Sequence, residues 1–191
     1  MSAFAFFKNF LRQPGAVGAI APSSPALVRE MMAGFDWPRV RAAIEYGPGT
    51  GVFTEGITRQ LADETKFFAI EQSAEMATLT RQRCPDVTVH HDSVINVARL
   101  CEQHGIEHVD AIVCGLPWAA FSDGLQAEIM DAMLRVLPPG GTFATFAYLQ
   151  GVPLPAGQRF AKRLHANFSQ VKKSRVVWRN LPPAFIYRCI R

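Results

Sequence analysis

Apolar segments of strand length alternate with helix-length segments over most of the chain. Apolar runs predict strands at residues 40–46, 66–71, 86–91, 109–114 and 142–148. Apolar spacing and capping residues predict helices that follow them, at residues 52–61, 73–83, 92–104, 122–136 and 156–166. Strict alternation of this kind predicts a parallel, doubly wound α/β sheet covered by helices on both faces.

The C-terminal segments depart from this alternation. Residues 172–178 and 184–190 are typical of strands, and the loop of residues 179–183 between them is too short for a helix. We therefore expect the last two strands to pair antiparallel as a hairpin at one edge of a seven-stranded sheet. No repeat or domain-sized linker interrupts the chain, so residues 1–191 are interpreted as one domain.

The first 34 residues are expected to form a helical segment in front of the Rossmann-like core of residues 35–191. Within residues 1–12, which contain four phenylalanines, the apolar side of an amphipathic helix is formed by Ala3, Phe4, Phe7, Phe10 and Leu11. Lys8 and Arg12 lie on the other side, and the helix is too short to span a bilayer. This composition is typical of an interfacial membrane anchor; the alternative is a lid over the domain. Ser24 followed by Pro25 predicts the start of a second helix.

The junction between the first strand and its helix carries the most informative motif. Glu45 near the strand end is followed by a turn that contains Gly47, Gly49 and Gly51. Glycines permit positive φ angles and let a ligand approach the backbone, so a strand, a tight turn and a helix in this order favour a nucleotide site. The spacing is not the dinucleotide fingerprint, and Pro48 removes an N–H that a pyrophosphate needs. A cofactor without phosphate fits better, and S-adenosylmethionine is the commonest of these.

Acidic residues close the first three strands and are candidates to bind such a nucleoside. Glu71, with Gln72 behind it, follows the first glycine of the turn by 24 positions, close to the spacing at which an acid accepts hydrogen bonds from ribose hydroxyls. Asp92 is placed to accept from an adenine amine, with Ser93 supplying a backbone N–H; plain helix capping is the alternative. Glu45 either orients the glycine turn or meets the amino-acid end of the cofactor.

Charge is distributed unevenly along the chain. The net charge is +4, yet residues 151–191 contain nine Lys or Arg and no acid, which leaves 11 basic and 16 acidic residues, or −5, in residues 1–150. A basic C-terminal quarter predicts contact with a phospholipid surface or nucleic acid, and solubility is the plain alternative. His90 and His91 are adjacent on a strand and point to opposite faces, so no metal site is expected.

The segment after the fourth strand, Gly115, Leu116, Pro117 and Trp118, is expected to lie nearest the transferred methyl group. Enzymes that methylate an adenine amine usually carry Asn or Asp at the first of these positions, where its oxygen holds the amine. Gly115 has no such acceptor, whereas Trp118 retains an aromatic ring, so the segment favours a cationic amine over a planar base. Tyr148 and Trp118 are the candidates for binding the substrate headgroup, with core packing as the alternative for both.

Several motifs together resemble the bacterial phospholipid N-methyltransferases, which are similar to ribosomal RNA adenine dimethylases. The shared segments span residues 10–14, 17–24, 45–54, 115–117, 139–141 and 180–184, of which V-G-A-I-A-P-S-S at 17–24 and N-L-P-P-A at 180–184 are the more specific. The resemblance implies a class I S-adenosylmethionine-dependent methyltransferase fold. It also implies cofactor contacts at Glu45, Gly47, Gly49, Glu71 and Asp92. Tyr46 departs from the family, which more often has Leu there.

The same resemblance implies methyl transfer to the amine of a membrane aminophospholipid such as phosphatidylethanolamine. We accordingly expect a cytoplasmic enzyme, associated peripherally with the anionic inner membrane and without a protein partner. An RNA adenine N6-methyltransferase is the alternative; the basic residues would serve it equally well, but Gly115 argues against it. A non-catalytic lipid- or nucleotide-binding module is the third hypothesis.

Overall fold

A computed structural model describes residues 23–191. The predicted amphipathic helix of residues 1–12 and most of the 17–24 motif lie outside the described residues. The α-helices are α1 Pro25–Met32, α2 Val52–Thr58, α3 Ala74–Arg83, α4 Val97–Gln103, α5 Asp123–Val136 and α6 Pro155–Asn167. The strands are β1 Ala42–Tyr46, β2 Lys66–Glu71, β3 Thr88–His91, β4 Ala111–Cys114, β5 Thr142–Tyr148, β6 Gln170–Lys173 and β7 Ala184–Ile190.

The strands form one seven-stranded sheet in the order β3-β2-β1-β4-β5-β7-β6. Strands β1 to β5 are parallel, whereas β7 lies antiparallel between β5 and β6. The predicted parallel sheet with a terminal antiparallel hairpin is therefore confirmed. From β1 the next strands along the chain, β2 and β3, lie on one side, whereas β4 and β5 lie on the other. Ligands of doubly wound sheets bind at such a reversal, in the crevice beyond the carboxyl ends of the strands.

The sixth strand is shorter than the prediction of residues 172–178. It covers Gln170–Lys173, and the chain leaves the ladder at Ser174, whose hydroxyl accepts the Ile186 N–H that a continuing strand would have bonded. Beyond it, Val177 makes only an isolated bridge to β7. Residues 174–183 are therefore a loop that stays tied to the sheet at several points.

Apolar side chains fill both faces of the sheet. Strand β1 is buried at every position, and its side chains alternate between the two faces. On one face they pack under α1 and α2 with Leu27, Met31 and Ile57. On the other face they pack under the later helices with Leu100, Met133 and Leu164. Each fully buried side chain of this size contributes about 1.5–3 kcal/mol, so the two layers fix where the ends of β1 and β4 lie.

Candidate active site

The glycine turn joins β1 to α2 with three left-handed residues. Gly47, Gly49 and Gly51 have φ angles of 67°, 60° and 78°, which strain any residue with a Cβ. The Gly47 N–H donates to the Ile70 carbonyl oxygen at 2.9 Å, and Gly51 stands at the N-cap of α2. The turn is thus held against β2 by a backbone hydrogen bond.

The segment after β4 packs directly on this turn. A Cβ on Gly47 would lie 2.7 Å from the Leu116 Cδ2 atom, and a Cβ on Gly115 would lie 2.4 Å from the Gly47 carbonyl oxygen. The Gly115 N–H also donates to the Tyr46 carbonyl oxygen at 2.7 Å. Gly115 therefore has a packing reason to be glycine, in addition to the missing side-chain acceptor that the sequence indicates.

Helix α3 supports the turn from its outer side. The Thr80 hydroxyl donates to the Gly49 carbonyl oxygen at 2.9 Å, and the Arg83 guanidinium donates to the Thr50 carbonyl oxygen at 3.1 Å. Neither residue was predicted as part of the site, because a Thr or Arg within a helix carries no local signal of this contact. The turn is therefore framed by β2, α3 and the segment after β4.

Glu45 lies fully buried beneath the turn, on β1. One carboxyl oxygen, Oε2, accepts a 2.6 Å hydrogen bond from the Thr54 hydroxyl on α2, and Oε1 has no partner among the described residues. Burial raises the pKa of Glu45 to about 8. The oxygen without a partner can accept a hydrogen bond from a cation, whose charge would favour the ionised carboxylate. Thr54 is a further residue beside the turn that the sequence did not single out.

Glu71 is the last residue of β2, and its side chain contacts the glycine turn. Its Oε2 atom accepts the Gly49 N–H at 3.1 Å and its Oε1 atom accepts the Ser73 N–H at 2.9 Å. Burial raises the pKa of Glu71, and these two hydrogen bonds oppose that rise. Glu71 therefore links the glycine turn to the start of α3. Gln72 beside it is exposed, and its carbonyl oxygen accepts from the His91 Nε2 atom at 3.1 Å.

Asp92 follows β3 and is already well partnered. Its Oδ1 atom accepts from the Ser93 N–H and the Asn96 amide, both at 2.7 Å, while Oδ2 pairs with Arg99. The hydrogen bond from Asn96 is the main reason why the pKa of Asp92 is lowered. Ser93 caps the short 3₁₀ turn Val94–Asn96 through its hydroxyl. The N-cap is therefore Ser93 and not Asp92, whose carboxylate instead holds the Ser93 N–H and the Asn96 side chain.

An apolar cavity of about 630 Å³ adjoins the segment after β4. Pro117 and Trp118 form one wall, Phe146 and Tyr148 of β5 form a second, and residues 150–157 and the β7 region form the remainder. Leu116 contacts the glycine turn, and the next two residues line the cavity. The cavity therefore lies next to the glycine turn. The cavity was not predictable from the sequence, since its walls come from distant segments.

The two predicted headgroup residues reach this cavity in different ways. Trp118 is only 3% exposed, and its ring stacks on Phe160 at a centroid distance of 4.3 Å. Phe160 therefore covers one face of the ring, and with so little exposure Trp118 serves mainly as a wall of the cavity. Tyr148 is half-buried beside Phe146, and burial raises the pKa of its hydroxyl. Of the two, Tyr148 is the better placed to offer a polar group.

Comparison with known proteins identifies the class of the chain. Residues 43–141 match a family model described as a methyltransferase domain. The ornithine lipid N-methyltransferase of Singulisphaera acidiphila is 31% identical over 189 residues, which cover 97% of this chain and 94% of that protein.

Solved structures share the fold. The O-methyltransferase TomG from Streptomyces achromogenes, in complex with S-adenosylmethionine, has a TM-score of 0.68 at 16% identity, covering 100% of this chain and 90% of its own. An O-methyltransferase from Bacillus cereus, in complex with S-adenosylhomocysteine, has a TM-score of 0.67 at 15% identity, covering 98% and 91%. The predicted class I methyltransferase fold is confirmed.

Proposed function

We propose that this chain, which belongs to the bacterial phospholipid N-methyltransferase family, methylates the amine of a membrane aminolipid, either an ornithine lipid or phosphatidylethanolamine. The predicted enzyme class and its cofactor, S-adenosylmethionine, are confirmed. The observation that carries the lipid substrate is the apolar cavity beside the glycine turn, which suits a molecule with a small amine end and a large apolar body.

The residues around the turn fit this cofactor. S-Adenosylmethionine carries an ammonium group, and Glu45 offers a buried carboxyl oxygen without a partner. A Cβ on Gly49 would meet nothing within 4 Å, so open space lies above the turn. Glu71 would accept from ribose hydroxyls, since each of its carboxyl oxygens has a second lone pair. The remaining proposed contacts are Gly47, Gly51, Gln72, Asp92 and Ser93.

When bound, the cofactor supplies a methyl carbon activated by its sulfonium group, so the protein contributes mainly position and a dry site. Leu116 and Gly115 hold the boundary between the turn and the cavity. The incoming amine must be neutral to use its lone pair, so its ammonium form first loses a proton to water. The raised pKa of Tyr148 keeps its phenol protonated at neutral pH, so the hydroxyl oxygen accepts a hydrogen bond from the amine and orients it without acting as the base.

We also propose a peripheral position on the cytoplasmic face of the anionic inner membrane. Among residues 23–191, no helix is long and apolar enough to cross a bilayer. The exposed basic residues Lys172, Lys173, Arg175 and Arg179 favour binding to acidic lipids by about 1 kcal/mol for each one near the surface. Deletion of residues 1–12 tests the predicted N-terminal anchor: retained cofactor affinity with lost vesicle binding supports it, and full vesicle turnover contradicts it.

A labelling experiment tests the substrate. The protein is incubated with methyl-labelled S-adenosylmethionine and vesicles that contain phosphatidylethanolamine or ornithine lipid. Phosphatidylcholine vesicles are the control, because their quaternary amine cannot accept a methyl group. We expect label in one or both aminolipids. In a parallel incubation with ribosomal RNA, label in the RNA instead would support the adenine methyltransferase alternative, and label in neither would overturn both.

A further inference from the structure

The loop of residues 174–183 exposes two large apolar side chains at its tip. Trp178 and Leu181 are each 73% exposed, more than the other large apolar residues of the described chain. Single exposed apolar residues are ordinary, but two within four positions form a patch that water does not favour. An apolar environment that covered the patch would therefore be favoured.

Basic residues lie near this patch in the sequence. Lys172, Lys173, Arg175 and Arg179 are exposed, and residues 151–191 contain no acid. Within residues 23–191, none of the four lies within 4 Å of a carboxylate. Exposed apolar side chains in a segment with several exposed cations and no ion pair are complementary to the interface of an anionic bilayer, whose phosphates lie outside its hydrocarbon.

Hydrogen bonds hold the loop next to both of its exposed apolar side chains. The Val177 N–H donates to the Ala184 carbonyl oxygen at 2.7 Å. The buried Asn180 side chain accepts from the Ser24 N–H at 2.9 Å and donates to the Pro182 carbonyl oxygen at 2.7 Å. Trp178 and Leu181 flank this fixed Asn180, so their outward position does not depend on ordering a flexible chain at the membrane.

The loop also borders the cavity. Pro182 is part of the cavity lining, and the Pro183 carbonyl oxygen accepts the N–H of Leu149, the residue after Tyr148. A bilayer that received the loop tip would therefore lie close to the cavity wall, which shortens the path of a lipid headgroup from the interface to Tyr148.

We propose that the 174–183 loop inserts Trp178 and Leu181 into the interface of an anionic bilayer and so sets the cavity beside its lipid substrate. Arg175 and Arg179 lie near the phosphates in this arrangement. The inference rests on the proposed function for the identity of the substrate, but the insertion itself is measurable without turnover.

Tryptophan fluorescence tests the insertion directly. Trp37 and Trp118 are 6% and 3% exposed, so Trp178 is the tryptophan that senses a change of solvent. Vesicles of phosphatidylglycerol should shift the emission to shorter wavelength, and brominated acyl chains should quench it. Trp178→Phe should remove both effects. Vesicle-bound protein with unchanged Trp178 emission would overturn the proposal, as would a shift that grows with protein concentration alone, which indicates self-association.

A double variant measures the contribution to binding. Trp178→Ser with Leu181→Ser should weaken partition into phosphatidylglycerol vesicles by at least about tenfold. Leu79→Ser, at an apolar residue on α3 that is 38% exposed, is the matched control and should change partition little. Equal partition of the double variant and the unchanged protein would overturn the inference.

Turnover separates this inference from the proposed function. The double variant should lose activity on vesicles but keep it on aminolipid dispersed in detergent, where no bilayer has to be found. If the unchanged protein labels no lipid in either form, the proposed function fails, while loop-dependent vesicle binding still supports the inference. If vesicle turnover is the same in both proteins, the inference fails and the proposed function stands.

Discussion

The Asn180 side chain accepts a 2.9 Å hydrogen bond from the Ser24 backbone N–H, across 156 positions of the chain. Asn180 is 3% exposed and also binds the Pro182 carbonyl oxygen, while Ser24 caps α1 through its hydroxyl. The two residues belong to the two most specific segments of the family resemblance, 17–24 and 180–184. Their hydrogen bond is a physical reason for both segments, because it links the start of α1 to the loop beside the cavity.

Replacing Asn180 should therefore destabilise the fold. Asn180→Ala leaves the Ser24 N–H and the Pro182 carbonyl oxygen without their partner, and we expect the free energy of unfolding to fall by about 1–3 kcal/mol in urea titrations. Asn167→Ala is the control, because the exposed Asn167 side chain bonds only to the Arg163 carbonyl oxygen one turn earlier. Similar decreases in the free energy of unfolding for the two variants would show that the Asn180 contact does not stabilise the fold more than an exposed side-chain hydrogen bond.

A methyl group on Gly115 should disturb the cofactor site. Gly115→Ala would place a Cβ atom 2.4 Å from the Gly47 carbonyl oxygen, and backbone on both sides must shift to relieve the clash. We expect the affinity for S-adenosylmethionine, measured by calorimetry, to fall at least about tenfold. Gly124→Ala on α5, where a Cβ meets nothing within 4 Å, should leave affinity unchanged and stabilise the helix by up to about 1 kcal/mol. Unchanged affinity in Gly115→Ala would contradict the packing role.

Cofactor binding should release a proton from Glu45. The pKa of about 8 keeps this carboxyl largely protonated at pH 7, and an ammonium group beside Oε1 would favour its ionised form. Calorimetry in two buffers of different ionisation enthalpy should detect the release. Glu45→Gln keeps an oxygen for Thr54 but should abolish the release and weaken binding. Glu75→Gln, an exposed position on α3, is the control. Binding without proton exchange would place the ammonium elsewhere.

The sign of the Glu45 effect on stability follows from the same pKa. The folded chain binds this proton more tightly than the unfolded chain, where the ordinary value is 4.5. Its contribution to stability is fully present below pH 4.5 and is lost as pH rises through about 8.

Local patterns predict most of the fold because each strand and helix shows its own periodicity and caps. The glycine turn is equally local: three glycines, a proline and a carboxylate within seven residues specify the corner. The end of β6 was mispredicted because Val176, Val177 and Trp178 have strand-like character. Tertiary contacts at Ser174 end the ladder earlier, and periodicity does not report such contacts.

The surroundings of the candidate site residues were less predictable than the segments that carry them. A ring at position 118 is visible in the sequence, but its cover, Phe160, lies 42 residues away. Thr54 and Thr80 are ordinary helix residues until the fold brings them to Glu45 and to the turn. What a side chain touches depends on helix packing, and a single sequence does not encode that in any short window.

Mutations of Tyr148 and Trp118 should have different effects, the first on lipid turnover and the second on stability. Tyr148→Phe removes one hydroxyl at the cavity, and we expect lipid turnover to fall about 10–100-fold with cofactor affinity unchanged, as for a lost hydrogen bond to a polar substrate group. Trp118→Phe should mainly lower stability, because the stacked and buried indole leaves a partial cavity. Thermal unfolding with steady-state kinetics distinguishes the two. Full turnover in Tyr148→Phe would remove this residue from the headgroup site.

The His90–His104 pair should make the fold sensitive to acid. Their Nε2 atoms lie 2.7 Å apart, an arrangement in which one ring donates and the other accepts, and His104 stacks on Phe68. Burial, and next the charge of His104, lowers the pKa of His90 below its ordinary 6.5. Between that lowered value and 6.5 the unfolded chain binds more protons, so stability falls as pH falls through this window.

The variant His104→Gln isolates this effect from other titrating groups. It removes the neighbouring charge but keeps a hydrogen-bonding side chain, so the difference in urea midpoint between pH 8 and pH 5 should shrink relative to the unchanged protein. His165→Gln, at an exposed histidine in the last turn of α6, should not alter that difference. Glu45 and Glu71 contribute the same pH dependence of stability to all three proteins. If the urea midpoint of His104→Gln falls between pH 8 and pH 5 as much as that of the unchanged protein, the histidine pair does not cause the fall.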